Sequence, residues 1–119
     1  MLSKELLGKL FKFEKIKNNR MIKNTSTYRF DGMVLPCEYI EREINVNELA
    51  NKCKEWANKN DLYLLSGLHT DLKHGKGTCY IFQTGVMPSD MHLAICFISD
   101  TEPEAIFKAC EWILEQQND

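Results

Sequence analysis

The chain has 119 residues, 44% hydrophobic and 27% charged, with only three prolines and six glycines, a composition that argues against extended disorder and fits one globular domain. No run approaches the roughly 18 to 20 apolar residues of a membrane span, and the opening MLSKELLGKLFKFEK is too charged for a signal-peptide core, so a cytoplasmic protein is expected. The net charge of −2 conceals an asymmetry: residues 1–30 hold eight basic and two acidic side chains, and the remaining 89 hold seven basic and fifteen acidic. Such a field selects partners rather than folds, and it points to a binding protein.

On a helical wheel Leu2, Leu6, Leu10, Phe13 and Ile16 share one side and Lys4, Lys12 and Lys15 the other, which predicts a basic amphipathic helix over residues 3–16. Lys17 to Thr27 is rich in Asn, Lys, Ser and Thr and reads as a linker, so residues 1–24 form a helix and linker ahead of an α+β domain over 25–119. Asp31-Gly32 predicts a hairpin turn, and a further strand runs from Cys37 to Ile44 after Pro36.

Asn45 and Glu48 approximate a capping box, and Val46, Leu49, Cys53, Trp56 and Ala57 then repeat at helical spacing, predicting a helix over 46–59. Leu62 to Leu65, Thr78 to Gln83 and His92 to Ser99 predict three strands in an antiparallel meander, with a loop over 71–77. Thr101 and Glu104 form a second capping box with Pro103 in the first turn, and they open a final helix. The expected fold is a single α+β domain with an antiparallel sheet and flanking helices, in the order α-β-β-α-β-β-β-α.

Five cysteines, Cys37, Cys53, Cys79, Cys96 and Cys110, lie far apart among apolar neighbours, as reduced packed thiols do. His69, Asp71, His74 and Cys79 are competent zinc ligands, but their spacing matches no standard site, and no metal is expected. No GxSxG, HExxH, Walker-type loop or GxGxxG is present, and the chain is read as a non-enzyme without cofactor.

Two sets of charges are candidate binding residues. Lys9, Lys12, Lys15, Lys17, Arg20 and Lys23 in the basic segment, with Lys73 and Lys76 in the loop beyond, are suited to phosphates. Glu38, Glu41 and Glu43 run along one strand region, and Glu102, Glu104 and Glu111 mark the last helix. An acidic face of that kind complements a basic groove on a protein partner.

From Asn45 to Gln116 the order helix, three strands, helix resembles the double-stranded RNA-binding domain. Where that family has a lysine-rich start to its last helix, this chain has Asp100, Glu102 and Glu104, with only Lys108 beyond, and carboxylates there repel phosphate. The stretch Ile95-Cys96-Phe97-Ile98-Ser99-Asp100-Thr101-Glu102-Pro103-Glu104-Ala105-Ile106, continuing through Ala109 and Cys110, resembles small phage and prophage α/β-sandwich proteins. That resemblance implies a mobile-element accessory protein. The resulting expectation is a protein-binding accessory or inhibitor acting on a host nucleic-acid-handling or defence complex through Glu102, Glu104 and Glu111. The alternative is a nucleic-acid-binding protein using the basic segment.

Overall fold

A computed structural model describes residues 2–22, 26–35, 38–69, 76–83 and 95–117, except the side chains of His69 and Gln83. The element order is α1 (Lys4–Phe11), β1 (Lys15–Ile22), β2 (Thr27–Val34), β3 (Glu38–Asn45), α2 (Val46–Lys59), β4 (Leu62–His69), β5 (Lys76–Gln83), β6 (Ile95–Ser99) and α3 (Glu102–Gln117). The fold is α+β, with one strand more than expected and two antiparallel sheets of three strands, β1-β2-β3 and β4-β5-β6. Two compact units are distinguished, residues 1–52 and 53–119, and the division falls within α2.

In the first unit Ser3 caps α1, its hydroxyl accepting from the Leu6 amide at 3.2 Å. The helix stops at Phe11 instead of running to Ile16, because Lys12 turns into the left-handed region at φ 59° and the Phe13 amide bonds the Gly8 carbonyl at 3.0 Å. Phe13 and Ile16 do belong to the core, but they reach it from the turn and from β1. The stretch expected as a linker is therefore largely strand: residues 15–22 pair with β2, from Lys15 opposite Met33 to Ile22 opposite Thr27. The basic segment thus begins with a shorter helix than expected, α1, and continues as an edge strand of the first sheet where a linker was expected.

Asp31-Gly32 is not a turn but lies inside β2, between β1 and β3. A Cβ on Gly32 would overlap the Lys15 carbonyl and come within 2.9 Å of Ile16 Cα and the Phe13 ring, so glycine is needed for close approach. The adjacent register shift between Ile16 and Asn18 places Lys17 at a β-bulge. On the buried face, Phe30 packs against Phe11 at 4.7 Å and against Phe13 at 5.5 Å between ring centroids. Asn19 bridges the Leu2 carbonyl at 2.6 Å and the Tyr28 hydroxyl at 2.9 Å.

Helix α2 follows its expected span, with the Asn45 side chain accepting from the Asn47 amide at 2.8 Å. In the second unit the meander β4-β5-β6 is antiparallel as expected, though β4 continues to His69 and β5 begins at Lys76. Of the third expected strand, Ile95–Ser99 is observed and residues 92–94 lie outside the described residues. Helix α3 covers one face of this sheet, where Gly77 admits the backbone of Thr101 and Glu102. The other face carries Tyr63, Leu65, Tyr80, Phe82, Cys96 and Ile98 by strand alternation. The capping box of α3 is half formed: the Thr101 hydroxyl accepts from the Glu104 amide at 3.3 Å, whereas the Glu104 carboxylate accepts from Ser99 Oγ at 2.9 Å.

Candidate functional site

Strand β2 alternates cleanly, with Tyr28, Phe30 and Gly32 buried and Thr27, Arg29, Asp31 and Met33 on the opposite face. Register extends that second face across the sheet in four ranks, three of which carry charge and the last of which is Ile22, Thr27 and Asn45. Lys15, Met33 and Tyr39 share the first, Asn18, Asp31 and Glu41 the second, and Arg20, Arg29 and Glu43 the third. Helix α1 and the phenylalanine cluster fill the buried side, so this is the sheet's open face. Met33 is 38% exposed and Tyr39 55%.

Its charges are ordered by strand. The edge strand β1 presents Lys15, Lys17 and Arg20, all exposed, and the opposite edge β3 presents Glu41 and Glu43, also exposed. Between them Arg29 donates from Nε to Glu43 Oε1 at 2.8 Å, again from Nη2 to the same oxygen, and lies 3.4 Å from Glu41. These bonds raise the Arg29 pKa, the hydrogen bond to Glu43 first. Such exposed pairs add little stability, and what they fix is side-chain position.

Asp31 is held from three directions. The Tyr39 hydroxyl donates to it, the Asn18 amide donates to Oδ1 at 2.9 Å, and the Lys17 ammonium acts on it at longer range. The Tyr39 bond is the largest cause of an Asp31 pKa below the ordinary value, and it pushes the Tyr39 phenol up to about 12. Lys17 Nζ also sits 6.0 Å from the Tyr39 ring centroid. A concavity of about 380 Å³ opens here, lined by Asn18, Arg20, Arg29, Asp31 and Glu41 among others.

The expected basic set is only partly gathered. Lys15, Lys17 and Arg20 stand together on β1, Lys9 is on the last turn of α1, and Lys12 is its C-cap. Lys23 and Lys73 lie outside the described residues, as do Asp71 and His74, while of His69 only the backbone is described. Lys76 on β5 is paired with Asp100 at 2.6 Å.

The acidic set does not converge. At about 100° per residue, Glu102 and Glu111 fall on opposite sides of α3, while Glu104 and Glu111 lie two turns apart on one side. Glu102 accepts from Ser66 Oγ at 2.7 Å and is half-buried, and Glu104 is taken by Ser99. Both work locally at the helix N-terminus, where carboxylates are favourable.

Sequence reasoning missed Arg29, Asp31 and Tyr39 as site residues. The signal was the period of two in TYRFDGMV, which the turn-like Asp-Gly concealed. No protein-family model matches the sequence, and no curated protein matches it. Among the described residues, no helix is long and apolar enough to cross a membrane.

Proposed function

We propose that the chain is a small non-enzymatic protein-binding accessory protein, and that the open face of β1-β2-β3 is its binding surface. The observation that carries the reading is the separation of charge on this face, with a basic edge on β1 and an acidic edge on β3 around exposed Met33 and Tyr39. Aromatic, Met and Arg side chains are favoured in protein interfaces, and a bipolar rim sets orientation and partner choice. Nucleic acid fits the face less well, because Asp31, Glu41 and Glu43 stand within about two strand spacings, roughly 10 Å, of the β1 cations. A phosphate chain along β1 would meet that repulsion inside one Debye length.

The resemblance of the C-terminal stretch to phage and prophage proteins supports a target in a host nucleic-acid-handling or defence complex. The test is capture from a host extract on the immobilised full chain, compared with Tyr39→Ala and Arg20→Glu. A defined protein retained by the parent and lost with both variants is the expected result. Retention unchanged in both variants overturns the assignment of this face, and a gel shift with nucleic acid that survives moderate salt overturns the protein-binding reading itself.

A further inference from the structure

We infer that a second copy of this chain is a partner of the open face, seated by a two-fold axis that runs along β2; the inference rests on reading this face as a protein-binding surface. The three charged ranks of the sheet decide the geometry. A two-fold axis lying in the interface along β2 exchanges the two edges, so the β1 of one copy faces the β3 of the other. Arg20 then meets Glu43, Asn18 meets Glu41 with Lys17 of the adjoining bulge beside it, Lys15 meets the Tyr39 ring, and Met33 meets Met33 at the axis. An axis in the same plane but across the strands would set β1 against β1 and β3 against β3, which opposes cation to cation and carboxylate to carboxylate. Charge therefore selects the first arrangement, and that arrangement is closed and isologous.

The central column does not oppose it. Arg29 would face its own equivalent near the axis, but each guanidinium is held by Glu43 and Glu41 of its own chain. Asp31 is likewise compensated by Tyr39, Asn18 and Lys17. Arg29 uses only Oε1 of Glu43, which leaves Oε2 for a residue across the interface. Among the described residues Lys15 and Arg20 form no ion pair, and stacked sheets about 10 Å apart leave room for long cationic side chains to reach across.

Area sets the strength. Three strands about 4.8 Å apart, with about 3.3 Å per residue over eight residues, present a patch of roughly 400 Å² per copy. A standard interface buries about 800 Å² per partner, so this dimer belongs to the weak, concentration-dependent class. Its contacts are largely charged and peripheral, so salt opposes it.

Sedimentation equilibrium of the full chain tests this, from about 10 μM to about 1 mM, the range of weak association. The expected result is a monomer–dimer equilibrium that shifts to monomer when salt rises from about 50 to about 500 mM. Arg20→Glu and Glu43→Lys should each weaken the dimer about tenfold or more, because each reverses two contacts per dimer. Mixing the two single variants should restore it, since in the mixed dimer both contacts again join opposite charges. Lys17→Glu mixed with Glu41→Lys provides a second pair should one of the first variants fail to fold. A parent chain that stays monomeric throughout, or a dimer indifferent to these substitutions and their mixing, overturns the inference. If the parent is monomeric while Tyr39→Ala still abolishes capture of another protein, the self-association falls and the binding face stands.

Discussion

The hydroxyl of Tyr39 on β3 acts as hydrogen-bond donor toward the carboxylate of Asp31 on β2, and this interaction is the largest cause of both shifts, Asp31 downward and Tyr39 up to about 12. The two residues are diagonal neighbours: Tyr39 is registered with Met33, and Asp31 with Glu41. The bond needs ionised Asp31 and neutral Tyr39. It is fully present across the neutral range and weakens toward either extreme.

The pH dependence follows in sign. Asp31 has its folded pKa below the ordinary 3.8, so its contribution is present above that value and is lost as pH falls through the folded pKa. Tyr39 has its folded pKa above the ordinary 10.0, so its contribution holds below pH 10 and is lost as pH rises through about 12. Carboxyl NMR should show Asp31 titrating below its ordinary value in the parent and moving up in Tyr39→Phe. Ultraviolet titration should lose a late-ionising component in the same variant, while Tyr80, whose pKa is raised by neighbouring Cys96, continues to ionise late. An Asp31 midpoint unmoved by Tyr39→Phe would falsify the assigned cause.

Glycine substitutions separate close approach from turn chemistry. At Gly32 an added Cβ meets the Lys15 carbonyl and Ile16 Cα, and at Gly77 it meets the backbone of Thr101 and Glu102. Backbone cannot swing aside as a side chain does, so Gly32→Ala and Gly77→Ala should each cost about 1–3 kcal/mol or more. Gly67 has nothing within 4 Å of the added atom, so Gly67→Ala should stay within about 0.5 kcal/mol of the parent. Thermal melts of the three variants followed by circular dichroism compare them directly, and equal melting temperatures would contradict the packing described.

The same glycines show what could be read from sequence. Elements with capping residues and a strong helical period, α2 and α3, and the meander β4-β5-β6 were legible because local signals agreed with tertiary packing. Strand β1 was not legible: KIKNNRMI buries only Ile16, and an edge strand with one buried residue has no period to detect. Phe13 and Ile16 also fit the wheel of the preceding helix, and only the left-handed Lys12 separates the two elements. The open face was missed for a related reason, since three cations recognised on β1 have meaning only beside Arg29, Asp31 and Tyr39. That adjacency is a product of register.

Thiol reactivity should divide the described cysteines. Cys96 is exposed on β6, whereas Cys53, Cys79 and Cys110 are buried. Burial pushes the Cys79 thiol up to about 12, and Cys110 is raised by the neighbouring Cys53 thiol first and by burial second; its Sγ also donates to the Cys53 carbonyl at 3.5 Å. Because the thiolate is the reacting species, iodoacetamide at pH 8 should label Cys96 at least about a hundredfold faster than Cys79 or Cys110. Peptide mass mapping over time reads the order, and denaturant should erase it. Comparable native rates at Cys79 and Cys96 would exclude the packing assigned to β5 beneath α3.

The carboxylates at the start of α3 are predicted to act on stability before they act on any partner. Glu102 accepts from Ser66 on β4 in a half-buried contact, Glu104 accepts from Ser99, and Thr101 caps the Glu104 amide. Thr101→Ala should cost about 1 kcal/mol, as loss of an N-cap usually does. Ser66→Ala should cost a similar amount, about 0.5–1.5 kcal/mol for the bond, with a further penalty if the Glu102 carboxylate cannot reach water. Glu102→Lys places a cation at the positive end of the helix dipole and removes the Ser66 bond, so it should destabilise more than Thr101→Ala. Urea unfolding of the three variants supplies the ranking. If Glu102→Lys leaves the midpoint unchanged, Glu102 has no structural role at the helix start, and its charge is again free to be read as part of a binding surface.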